Sequence, residues 1–117
     1  MLNVPAGLFK PNTYQPAAFS FPAYNTQTPF ASVASATVVL AGGFVNKTAT
    51  RGSRCTGISI NGGSYVLGPV TGVNSGDTIS ITQDAGDENS DITCRVTVGT
   101  TQSSLWHVTC FPANPEG

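Results

Sequence analysis

Val73-Asn74-Ser75-Gly76-Asp77, followed by Thr78-Ile79-Ser80-Ile81-Thr82, decides the fold class. The first group is a turn signal, because Asn, Gly and Asp accept the backbone angles of a tight turn. The second alternates β-branched apolar residues with hydroxyls at a period of two, the pattern of a strand with one buried and one wet face. Downstream, residues 92–98 repeat the pattern, with Ile92, Cys94, Val96 and Val98 on one face. Residues 99–104 then read as a turn, and 105–111 as the strand that closes the sheet. Upstream, residues 55–60 run into Asn61-Gly62-Gly63, and 64–67 return as the hairpin partner. Residues 33–40, ended by Gly42-Gly43, and 44–50 supply further strands. No segment carries helical periodicity. An all-β domain of six to seven strands is expected; turns about every 8 to 12 residues favour a sandwich over a barrel and leave the barrel open.

The 117-residue chain changes character near Ala31, which divides it into an extended arm over 1–32 and a sandwich domain over 33–117. The first thirty residues hold Pro5, Pro11, Pro16, Pro22 and Pro29, which exclude regular helix. They also hold Phe9, Tyr14, Phe19, Phe21, Tyr24 and Phe30, with Lys10 as the only charge. A solvated linker is polar and poor in aromatics, so these six rings are the candidate partner-binding residues. The alternative is that they fold back onto the chain's own sandwich. On the first reading, removing residues 1–30 leaves a folded domain that no longer joins its assembly.

Composition bounds the rest. Five basic and six acidic residues give a net charge of −1, which argues against capture of nucleic acid. No run of about 18 apolar residues is present to span a membrane, and the proline-broken start, without a basic lead, does not read as an export signal. Cys55, Cys94 and Cys110 match no zinc spacing, and an odd count makes no disulfide framework, so thiols reduced at the time of folding are expected. If residues 92–98 and 105–111 pair through 99–104, Val98 falls opposite Trp106, Val96 opposite Val108 and Cys94 opposite Cys110. That places the last two close together, as thiols or as a bond, with Cys55 unpaired.

His107 is the only histidine, and alternation puts it on the face opposite Trp106, Val108 and Cys110. With no Gly-x-Ser-x-Gly elbow, phosphate loop or dinucleotide fingerprint, no catalytic residues, no cofactor and no enzyme activity are expected. Asp84, Asp87, Glu88 and Asp91 could offer oxygens to calcium, but they lack the ordered spacing of a calcium loop, so a solvated loop and no metal site are expected.

The strings Gly57-Ile58-Ser59-Ile60-Asn61-Gly62-Gly63-Ser64-Tyr65, Val73 to Ile81 and Arg95-Val96-Thr97-Val98-Gly99 resemble an immunoglobulin-like module of bacterial surface proteins and tailed-bacteriophage virion proteins. The resemblance covers roughly residues 37–109. It implies an immunoglobulin-like β-sandwich that displays or binds, often to saccharide or to a virion shell, without a catalytic set. The aromatic arm is foreign to the module, and a free-standing copy carrying one looks like a small capsid decoration protein. The expected function is therefore a bacteriophage virion structural protein, a capsid decoration or cement subunit attached by its arm. It is expected to be made in the host cytoplasm and located in the virion. Its expected partners are the major capsid protein, other virion subunits and copies of itself. The alternatives are a receptor- or glycan-binding module of a tail fibre or bacterial surface protein, which adds a possible saccharide partner, and a tail or neck component.

Overall fold

The computed structural model describes residues 14–111, and all regular structure among them is β. The alternating run becomes β7 (Thr78–Asp84), the centre of the first sheet. Its Ile79, Ile81 and Gln83 are fully buried, as a period-two pattern requires. β5 (Cys55–Ile60) pairs antiparallel along one side, with Ile58 opposite Ile81. β2 (Ser32–Ala34) and β3 (Val38–Val39) lie end to end along the other. The single strand expected over 33–40 is thus cut at Ser35. There the backbone N donates to Ile81 O at 2.8 Å while Ile81 N donates to Ser35 Oγ at 3.0 Å, so a side chain replaces one backbone rung.

Asn61 and Gly62 take φ of 55° and 77°, and Gly63 N donates to Ile60 O at 3.1 Å. This is the tight turn the Asn-Gly pair announces. The return limb is shorter than expected: residues 64–67 contribute one bridge, between Val66 and Ile58, and no strand.

The second layer centres on β8 (Ser90–Cys94) and β9 (Val96–Val98), one run of chain interrupted at Arg95. It turns back through β10 (Thr101–Gln102) and β11 (Trp106–Cys110), which pair with β9 and β8 respectively. On the other side of β9 stand β4 (Lys47–Arg51) and then β6 (Val70–Val73), and β1 (Tyr24–Thr26) runs parallel to β11 at the opposite edge. Strand breaks at Ser35 and Arg95, the unexpected β1, β6 and β10, and the loss of the strand expected over 64–67 make eleven short strands among the described residues where six or seven longer ones were expected.

The register expected for this hairpin is corrected. The turn is made by Gly99, at φ 63°, and Thr100, because Thr101 already stands opposite Val98. One extra residue between β10 and β11 then shifts the register, so that Trp106 faces Cys94 and Cys110 faces Ser90. Cys94, released from Cys110, forms a disulfide with Cys55, their Cα atoms 5.5 Å apart. The expectations of an unpaired Cys55 and of reduced thiols both give way to this bond, and Cys110 is the free, buried cysteine.

The disulfide joins β5 of the first layer to β8 of the second, and Gln83 Nε2 donates to Trp106 O at 3.0 Å across the same interface. Between the layers Leu40, Phe44, Ile58, Ile79, Ile81, Val73, Val96, Val98, Trp106 and Val108 are excluded from solvent. The protein is an all-β sandwich.

The described part of the N-terminal segment lies on this sandwich, the alternative its aromatics left open. Ala17 N donates to Ala41 O at 2.8 Å, Ser104 N to Phe19 O at 3.2 Å and Trp106 Nε1 to Pro22 O at 3.0 Å. Phe19 and Phe21 alternate with exposed Ser20 and sink into the core, edge to face with ring centres 6.0 Å apart. Phe21 lies 6.4 Å from Trp106. Gly42 permits the crossing, since a Cβ there would stand 2.7 Å from Ala17 N and from Gln15 O.

Candidate interaction surface

The six rings proposed from sequence divide by placement. Phe9 lies outside the described residues. Phe19 and Phe21 belong to the domain's own core, 9% and 5% exposed, so neither presents a face to a partner. Tyr14, Tyr24 and Phe30 face solvent, Phe30 most of all at 67%.

Tyr24 sits on β1, which among the described residues pairs with β11 alone and is the edge of its ladder. Phe111, half exposed, follows β11 and donates its backbone N to Thr26 O at 2.9 Å, adding a ring beside this edge. Sequence reading missed Phe111 because it was counted as the end of a strand. Its neighbours Asn25, Thr26, Gln27 and Thr28 complete an open, uncharged groove of about 530 Å3. An edge strand that carries exposed rings and no charge is open to pairing with another chain.

Phe30 is held at a cost. Ala31 N donates to Thr28 O at 3.3 Å, closing a turn with Pro29 and Phe30 at its corners, and Phe30 N donates to Gly86 O at 3.1 Å. Phe30 takes a φ of 61°, at the corner where glycine is favoured. For an L residue that conformation costs about 1 kcal/mol or more, and a ring so exposed recovers little of it by burial. Phe30 lines, with Arg54, Thr56, Asp84, Ala85 and Ile92, a shallow depression of about 430 Å3.

His107 lies where alternation places it, outward from β11, with Trp106 and Val108 buried on the other face. Its Nδ1 is 2.8 Å from Asp91 Oδ2, and Thr109 Oγ1 donates to Asp91 Oδ1 at 3.3 Å. The hydrogen bond of the ring thus runs to a carboxylate, not to a Ser, Thr or Cys. In the acidic loop, Asp87 holds its own turn: Oδ1 accepts from Glu88 N at 2.8 Å, and its carbonyl accepts from Ser90 N and Oγ. Among the described residues no three His, Cys, Asp or Glu side chains gather as metal ligands would.

Burial raises the Cys110 thiol above the ordinary thiol range, and the charges of Glu88 and Asp87 push it the same way. The reactive thiolate is therefore scarce near neutral pH. Thiol labelling of the denatured, non-reduced protein is expected to find one reactive thiol, and three after reduction; the native protein should label slowly. Three thiols without reduction would contradict the Cys55–Cys94 bond.

No family model, no curated protein and no solved structure matches the chain.

Proposed function

We propose that this protein is a structural subunit of a bacteriophage virion, a capsid decoration or cement protein made in the host cytoplasm, and that it performs no catalysis. The partners in this reading are the major capsid protein or other virion subunits and further copies of itself. The immunoglobulin-like resemblance belongs to the same proposal.

The observation that carries it is Phe30, a strained aromatic ring presented to solvent. A large ring kept in a costly conformation and left 67% exposed points to a role outside its own domain. Tyr14 and Tyr24 face solvent on the same N-terminal stretch, and the low charge of the chain suits life inside an assembly. On docking, each ring would bury on the order of 100 Å2, about 2.5 kcal/mol at the usual area coefficient. Attachment then needs several rings together, or many copies.

Phe30→Gly separates the two roles. In the isolated protein it is expected to raise unfolding stability by about 0.5 to 1 kcal/mol, because glycine relieves the left-handed strain and little buried area is lost. Co-sedimentation of the same variant with particles stripped of this subunit should fall by about tenfold or more, through the loss of roughly 2 kcal/mol of contact. Binding equal to that of the unaltered chain would remove Phe30 from the interface, and failure of the unaltered chain to bind particles would sink the virion reading.

A further inference from the structure

Beside the Cys55–Cys94 bond lies a cleft of about 460 Å3, with Arg54, Arg95, Thr93, Thr97, Gln102 and Leu105 in its wall and no acidic side chain. We propose that this cleft binds a phosphate monoester, a small molecule whose dianionic head is held by the guanidinium groups of Arg54 and Arg95. The proposal does not rest on the virion reading, because none of these residues belongs to the N-terminal stretch and no particle enters its test.

The fold itself brings the two arginines together. Each adjoins one half of the disulfide, Arg54 before Cys55 and Arg95 after Cys94, and the Cα atoms of the two cysteines stand 5.5 Å apart. A second clamp acts beside the bond. Cys55 N donates to Gly52 O at 3.2 Å, which closes a turn with Ser53 and Arg54 at its corners, and Gly52 N donates to Arg95 O at 2.8 Å. Glycine is required for that approach, since a Cβ on Gly52 would stand 2.6 Å from Arg95 O. Holding two like charges in one wall costs free energy unless a counter-charge lies between them.

The described residues supply no such counter-charge. Arg95 Nη1 donates to Gln102 Oε1 at 2.8 Å, a neutral acceptor that orients the guanidinium and leaves its other N–H groups without a partner among the described residues. Arg54 is exposed and makes no hydrogen bond or ion pair with a described residue. Arg51 is the contrast, its Nε and Nη1 spent on Leu67 O and Cys55 O at 2.8 and 2.9 Å. Asp91, two residues before Thr93, is held by His107 and Thr109. Asp84, which shares with Arg54 the depression lined by Phe30, makes no ion pair with it.

Two forked guanidinium groups match the charge and the oxygens of a phosphate dianion, and the hydroxyls of Ser53, Thr93 and Thr97 can donate to oxygens that remain. A carboxylate brings one charge and two oxygens, which leaves part of this set unused. The cleft is larger than a phosphate ion and half-exposed Leu105 gives it an apolar wall, so the phosphate carries an organic substituent.

The oxidised full-length chain, labelled with 15N, would be titrated at low ionic strength with phenyl phosphate, inorganic phosphate, benzoate and a short oligothymidylate. Both phosphates should saturably shift the amide signals of Ser53, Arg54, Arg95 and Gln102, phenyl phosphate at the lower concentration, with benzoate about tenfold weaker. Arg54→Ala removes a side chain that holds nothing within the described domain, so it should weaken phenyl phosphate binding by about tenfold or more with the melting temperature unchanged. Arg54→Lys should restore only part, because the ammonium keeps the charge and loses the fork. The assignment fails if neither phosphate moves these signals, if the shifts map elsewhere on the sandwich, or if Arg54→Ala binds like the unaltered chain. It fails equally if benzoate or the oligothymidylate binds as tightly as phenyl phosphate, since the cleft would then be a general anion or phosphodiester surface.

Discussion

Removal of residues 1–30 is expected to unfold the domain, not merely to detach it from a partner. The deletion takes Phe19 and Phe21 out of the core, removes β1 from the edge of β11 and deprives Trp106 Nε1 of the Pro22 carbonyl. Truncating a single buried Phe costs about 3 to 5 kcal/mol, and a domain of this size holds only about 5 to 15 kcal/mol in all. Losing both rings, about 6 to 10 kcal/mol, together with a strand takes up most or all of that margin. The single substitution Phe21→Ala gives the graded form of the same test. It opens a cavity beside Trp106, and a loss of about 3 kcal/mol should lower the melting temperature by roughly 15 °C. Circular dichroism melts of the truncated and substituted chains would measure both. A truncated chain that melts cooperatively near the full-length temperature would show that the strands from β2 onward suffice, as the sequence by itself suggested.

Reduction of the Cys55–Cys94 bond should carry the second large effect. The bond spans a sequence separation of 39 residues, and the chain-entropy relation assigns a loop of that length about 4 kcal/mol at 25 °C. Both sulfurs are buried between the layers, so reduction leaves two small apolar thiols in place and the change falls mainly on the unfolded chain. Urea unfolding with and without a reductant that cleaves the bond should therefore show a lower midpoint for the reduced protein. Cys110→Ala, which cannot affect the bond, should preserve the difference between oxidised and reduced forms. Coincident transitions in the unaltered chain would refute a stabilising bond. Because the reduced domain is expected to be marginal, folding under oxidising conditions, or oxidation after assembly, should raise the yield of stable protein.

These two expectations sit where sequence and structure part company, and the reason is the same in each. Alternation along 78–82 placed Ile79 and Ile81 inward, Asn61-Gly62 announced the turn after β5, and Trp106 and His107 fell on the faces their spacing required. All of this is local: a period of two, or a residue that tolerates positive φ, acts over a few neighbours whatever the rest of the chain does. Even so, the wet face expected of β7 is covered at Ser80, because Tyr65 from a distant loop lies over it.

Register was not legible in that way. Residues 99–104 are all small or polar, and any of several turns through them keeps Cys94, Val96 and Val98 facing inward. Moving the turn by an even number of residues preserves every face and changes every partner, so the pattern could not tell Cys94 opposite Cys110 from Cys94 opposite Trp106. The turn at Gly99-Thr100 and the one extra residue between β10 and β11 together set Trp106 opposite Cys94, and Cys94 is left to bond with Cys55.

The place of the aromatic segment was equally open. Phe19-Ser20-Phe21 carried the one available signal, an inward-outward-inward step too short to stand out among the prolines. By itself, then, the sequence determined that the chain is β, where its tight turns fall and which faces of its strands are apolar. Only the tertiary structure decided which strand lies against which, which cysteines bond, and that Phe19 and Phe21 fill the core while Tyr14, Tyr24 and Phe30 stay outside. Burial depends on the surface that distant residues provide, and no local pattern contains that surface.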